Sequence, residues 1–118
     1  MDTLLSPKWT LIAAAWYFIN GLLHDIFVIK NHKGPYDREL LRLLMDGHLL
    51  MLSGILMLVS YFLLKESSAY GAALSMITAI SMIVYVAMIF PFLKSFVTLA
   101  LSCVILVMSL KILLAQYF

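Results

Sequence analysis

A chain of 118 residues that is 64% hydrophobic and only 12% charged, with a mean hydropathy of +1.06, lies outside the range of soluble domains and belongs in lipid. At roughly 20 apolar residues for each crossing of a ~30 Å hydrocarbon core, there is room for four spans and no soluble domain beside them. The formal net charge is +2 and the basic residues are scattered, so no patch exists for nucleic acid, which is excluded as a partner.

The first seven residues lack the basic start and small-residue cleavage site of a secretory signal, so the first span is expected to be retained. Ser6 and Pro7 suit a helix cap and first turn, and span one is predicted over 9–29, with Trp9, Trp16 and Tyr17 including rings suited to an interface belt. Gly34 and Pro35, among the charges of Lys30, His32 and Lys33, break the helix in water. The loop is short, so spans one and two should be antiparallel neighbours. Residues 36–65 read as one helix that begins in water with Asp37, Arg38, Glu39 and Arg42, its membrane span covering 43–64. Lys65, Glu66, Ser67 and Ser68 form the next break. Span three, 69–90, carries Gly71, Ser75 and Ala79 four residues apart, a small-residue pattern that lets helices approach closely in lipid. Pro91 and Lys94 mark the third turn. Span four, 95–115, carries Ser95, Ser102 and Ser109 seven apart, which predicts a helix-helix seam. The predicted fold is an all-α, polytopic, four-helix transmembrane bundle forming one domain.

The polar chemistry gathers near loop one. Glu39, Asp46, Ser53 and Ser60 recur every seven residues, about two helical turns, and form one narrow stripe with Arg42 beside it, while His48 points another way. Span one supplies Asn20, His24 and Asp25. If Lys8 and Lys65 mark one interface, His24 and Asp46 lie roughly 24 and 28 Å from it and Asn20 roughly 18 Å, so the cluster faces the loop-one surface. Counting outward from a turn near Lys33 sets His24 level with Arg42, Asn20 with Asp46, and Tyr17 or Phe18 with His48. The expected pairs are then Asp25 with Arg38 or Arg42, Arg42 with Asp46, and Asn20 with Asp46. The leading expectation is an electrostatic clasp, because ionisable groups in membrane segments turn inward and pair. The competing one is a cavity open on the loop-one side and lined by Asn20, His24, Asp46 and His48.

Other chemistries fail on spacing. A bis-histidine haem needs two imidazoles at similar depth, whereas His24 and His48 differ by roughly 9 Å of hairpin level. A metal site from His24, His32, His48 and Asp46 would draw on several depths and faces, so neither metal nor other cofactor is expected. Met45, Met51 and Met57, like Met76, Met82 and Met88, are six apart and rotate around their helices, which suits adaptable packing better than copper. Cys103 is the single cysteine and excludes an intrachain disulfide. No hydrolase nucleophile motif or phosphate loop is present, so the sequence leans away from an enzyme. Small multidrug exporters share the length and span number, but their acidic residue lies within the first span, where this chain has only Asp25 near the end. No family follows.

The expected function is a small non-enzymatic membrane subunit whose spans three and four pack against a larger integral membrane protein or against a second copy. The alternative is binding of a lipid or quinone head group, or proton-linked transport, through the polar cluster. Halves that differ this sharply in polarity argue against a self-contained inverted-repeat transporter. Lys30, Lys33, Arg38, Arg42 and Lys94 flank loops one and three, against Lys8, Lys65 and Lys111 on the other side, which favours cytoplasmic loops one and three with both termini outside. Reporter fusions at residues 33, 67, 93 and 118 should alternate between the three loops, with the C-terminus matching residue 67. Any other pattern refutes four spans.

Overall fold

The breaks around Gly34 and Lys65 become helix ends with identifiable chemistry, while Ser6, Pro7, Pro91 and Lys94 lie outside the described residues. The computed structural model describes residues 8–66, 68–89 and 96–117, with side-chain surroundings in the last helix as far as residue 115. Four helices run in chain order: α1, Lys8–Asn31; α2, Arg38–Lys65; α3, Ala69–Ile89; and α4, Phe96–Tyr117. All four are long and apolar enough to cross a membrane, and there is no strand among the described residues. Gly34, at φ +111°, takes the left-handed backbone that turns the chain between α1 and α2. Asp37 then caps α2, its carboxylate accepting from the Leu40 N–H at 2.9 Å, and Glu39 adds negative charge in the first turn. At the other end the N–H groups of Glu66 and Ser68 both reach the Leu63 carbonyl, and the Gly71 N–H reaches that of Ser68. These bonds hold α2 and α3 in a tight hairpin.

The helices form a ring in which α1 packs on α2, α2 on α3, α3 on α4, and α4 closes against α1; the diagonal pairs barely touch. The α1–α2 seam is the closest. A Cβ on Gly21 would stand 2.5 Å from the Gly47 carbonyl oxygen and 2.8 Å from the Met51 nitrogen, and one on Gly54 would stand 2.8 Å from the Ala14 carbonyl oxygen. Backbone therefore meets backbone at two points seven residues apart on both helices. This sets Gly21 opposite Gly47 and Ala14 opposite Gly54, two residues away from the level counted outward from the loop. The count failed because it placed the turn by its charges, while contact without a Cβ fixes register more tightly than loop length does.

Toward the centre the core is built from Ala13, Tyr17, Met57, Ala72, Ala79, Met82, Ile105 and Met108, all fully buried. Methionine fills irregular gaps there without a branched side chain to clash. Hydroxyls supply the cross-links. Ser102 donates to the Thr98 carbonyl at 2.7 Å, so the Tyr17 hydroxyl must be the donor in its 2.5 Å bond to the Ser102 oxygen. Ser75 donates to the Ala72 carbonyl at 3.0 Å, so Ser109 donates to Ser75 across 2.6 Å. Tyr17, a candidate interface ring by sequence, is thus a core residue tying α1 to α4, and the Trp16 indole donates to the Thr98 hydroxyl at 3.0 Å on the same seam.

Both small-residue patterns face inward. Gly71 is buried with room only for hydrogen beneath Leu63 and Leu64 of α2, Ser75 meets α4, and Ala79 lies in the core. Ser102 and Ser109 are fully buried, and Ser95 lies outside the described residues. Of the stripe on α2, Ser53 and Ser60 are buried, Asp46 is half-buried and Glu39 is exposed. The outward faces carry isoleucine, valine and leucine, as at Ile12, Ile19, Ile77, Val84 and Leu110. Over the described residues α2 is seven residues longer than α3.

Two substitutions test this packing. Ser75→Leu pushes a larger side chain into a filled seam and should cost about 1–3 kcal/mol; unchanged melting in detergent would mean that the stripe faces lipid. Gly21→Ala gains about 1 kcal/mol of intrinsic helix propensity but must separate two backbones at a similar cost of about 1–3 kcal/mol. The expected outcome is a lower melting temperature, because the obstructing atoms are largely main chain and cannot rotate away.

Candidate ligand cleft at the loop-one end

At the loop-one end a cleft of about 780 Å³ opens between the four helices. That volume falls in the range of small-molecule sites, roughly 300–1,000 Å³. Its two sides differ in chemistry. From α1 and α2 come Asn20, His24, Arg38, Glu39, Arg42 and Asp46, and from α3 and α4 come Tyr85, Met88, Ile89 and Thr98; Leu43 and Leu50 of α2 add apolar surface. The α2 residues belong to one face, since Arg38, Arg42, Asp46 and Leu50 are each one turn apart.

Four of the six residues in the sequence-derived cluster meet here, each held differently. Asn20 is half-buried, and its amide donates to the Trp16 carbonyl one turn back at 2.8 Å, leaving its oxygen available. His24 Nε2 lies 2.9 Å from the Leu43 carbonyl oxygen. A carbonyl only accepts, so the imidazole proton is on Nε2, and in the neutral ring the lone pair is on Nδ1. Arg42 is exposed near the mouth, and Asp46 is half-buried further in. Among the described residues no ion pair joins Arg38, Arg42, Asp25 and Asp46, and Asn20 bonds its own helix instead of Asp46. The cluster therefore lines a space in place of the pairings expected of a clasp.

The other two residues lie outside the cleft. Asp25 is turned into the α1–α2 seam, where its carboxylate occupies the position that a Cβ on residue 47 would take, and its Oδ1 is buried without a partner among the described residues. His48 is exposed and does not line the cleft, although the cavity reading included it; two residues beyond Asp46 turn it by about 200° onto another face. It remains within electrostatic reach of Asp25, as do His24 and Asp46. Among the described residues no three of His, Cys, Asp and Glu are grouped to hold a metal ion.

Several contributors carried no warning in the sequence. Tyr85, Met88 and Ile89 read only as part of an apolar span, and Thr98 as one hydroxyl among many. The available signal was position: all four sit at the loop-three ends of their spans, beside the loop-one ends of spans one and two. Comparison with known family models, characterised proteins and solved structures gives no match.

Proposed function

We propose that this chain is a multi-pass membrane protein that binds a small amphiphilic molecule, with a polar head and an apolar body, in the cleft at the membrane face of loops one and three. The observation that carries this reading is the joint lining of one cleft by Asn20, His24, Arg42 and Asp46 on one side and Tyr85, Met88 and Ile89 on the other. A polar wall facing an apolar wall suits a molecule with the same division. With the loops placed by the distribution of lysine and arginine, the mouth opens toward the cytoplasm. The outer faces of α3 and α4 are covered as well by acyl chains as by a partner helix, so the cleft favours ligand binding over the role of an accessory subunit.

Native mass spectrometry of the chain purified in mild detergent tests the proposal. A small molecule should co-purify with the native chain and be lost from Asp46→Asn while the melting temperature stays within about 2 °C, a shift worth less than ~1 kcal/mol for a chain this size. His48→Ala should retain it, because His48 stands outside the cleft. A native chain that carries no small molecule, and a marked loss of stability in Asp46→Asn, would return the cluster to a structural clasp.

A further inference from the structure

We infer that the molecule taken up by the cleft is an amphiphilic organic cation, its cationic centre beside Asp46 and its apolar bulk against Leu50, Tyr85, Met88 and Ile89. This rests on the ligand reading above and goes further by assigning the sign of the ligand's charge.

The order of charges along α2 decides the sign. Arg38 and Glu39, adjacent and opposite in sign, stand exposed at the rim, where water screens both. Arg42 follows one turn deeper and is also exposed. Asp46 comes another turn on, roughly 12 Å below Arg38, and is half-buried. Below it the face continues with Leu50. The innermost formal charge in the cleft is therefore negative, and it has no hydrogen-bond or ionic partner among the described residues. As the deepest charge lining the cleft, the Asp46 carboxylate attracts a cation placed against the apolar wall and repels an anion there.

The surroundings reinforce this. Asp25 stands in the adjoining helix seam, its carboxylate against Gly47, one residue beyond Asp46 on α2. Of the groups opposed to a cation, Arg42 is directed to water, and the Nε2–H of His24 is given to the Leu43 carbonyl. Tyr85 of α3 lines the same cleft as Asp46 and offers an aromatic ring on its apolar side, which suits quaternary and other poorly hydrated cations. An anion would have to stop at Arg38 and Arg42, on the exposed rim and away from the apolar wall.

Tetraphenylphosphonium and tetraphenylborate have nearly the same shape and apolar surface and opposite charge, which makes them a direct probe of sign. Calorimetric titration of the purified full chain in a neutral detergent should give at least tenfold tighter binding of the phosphonium. Asp46→Asn should remove most of that preference with melting unchanged. Arg42→Gln, which withdraws the nearest positive charge, should tighten phosphonium binding severalfold and serves if Asp46→Asn does not fold. Preference for the borate, or phosphonium affinity insensitive to both substitutions, would overturn the inference. If neither probe binds while a small molecule still co-purifies with the native chain, the cation assignment fails and ligand binding stands; if nothing co-purifies either, both fail.

Discussion

The approach of α1 to α2, backbone against backbone, is the constraint on which the other features depend. At Gly21–Gly47 and Ala14–Gly54 no Cβ, or only a methyl, separates the main chains, so the two helices have one register in which they fit. Side-chain packing tolerates sliding because rotamers can adjust; contact between main chains does not. For helices that cross a bilayer, where burial of apolar surface gives no reason to associate, such contact would itself be the main attraction, through dispersion between closely packed atoms. The register then places His24 where its imidazole reaches the Leu43 carbonyl, and Asp25 where its carboxylate can fit only because residue 47 is glycine.

The second half of the bundle is held by a different means. Helices α3 and α4 meet through Ser75 and Ser109, and α4 meets α1 through Ser102 with Tyr17 and Thr98 with Trp16. A hydroxyl facing lipid would lose a hydrogen bond worth about 1 kcal/mol, or satisfy itself on its own carbonyl; paired across the seam it specifies a partner. Ser75 and Ser102 do both, since each donates to its own helix and accepts from a neighbour. Serine suits this role because one hydroxyl carries a donor and two acceptor sites on a side chain small enough to leave the helices close.

Sequence reading recovered what depends on solubility and local chain chemistry. Four apolar segments, the breaks at Gly34–Pro35 and at Lys65–Ser68, and the inward serines of α4 follow from hydropathy, turn residues and spacing, and the helices observed match the predicted spans to within a few residues apart from the wet start of α2. The site was legible in part. Asn20, His24, Arg42 and Asp46 stood out because polar groups are rare in such a chain, yet whether they paired or lined a space depended on the α1–α2 register, and that was set by glycines read as unremarkable. Ala14 and Gly21 on one helix, and Gly47 and Gly54 on the other, share a spacing of seven, a signal of the same kind as the serines of span four. Tyr17 and Trp16 were misjudged for a related reason: an amphipathic ring suits an interface, but it suits a core equally well once a serine or threonine across the seam accepts its proton.

The cleft owes its two unlike walls to how the helices are aligned. The bonds at Leu63, Glu66 and Ser68 and the close fit of Gly71 under Leu63 and Leu64 bring α2 and α3 level at one end, so that Arg38 to Asp46 and Tyr85 to Ile89, at their opposite ends, line one cleft. In a bilayer that end would lie at the head-group level, where water, phosphates and amines are all at hand. The residues at that height, Arg38, Glu39 and Arg42, are charged in keeping with that position. Asp46 and Asn20 lie further in and line the same cleft as Tyr85, Met88 and Ile89 of α3. Polar side chains from α1 and α2 thus face apolar ones from α3 across one volume, a division of walls that neither hairpin could provide alone.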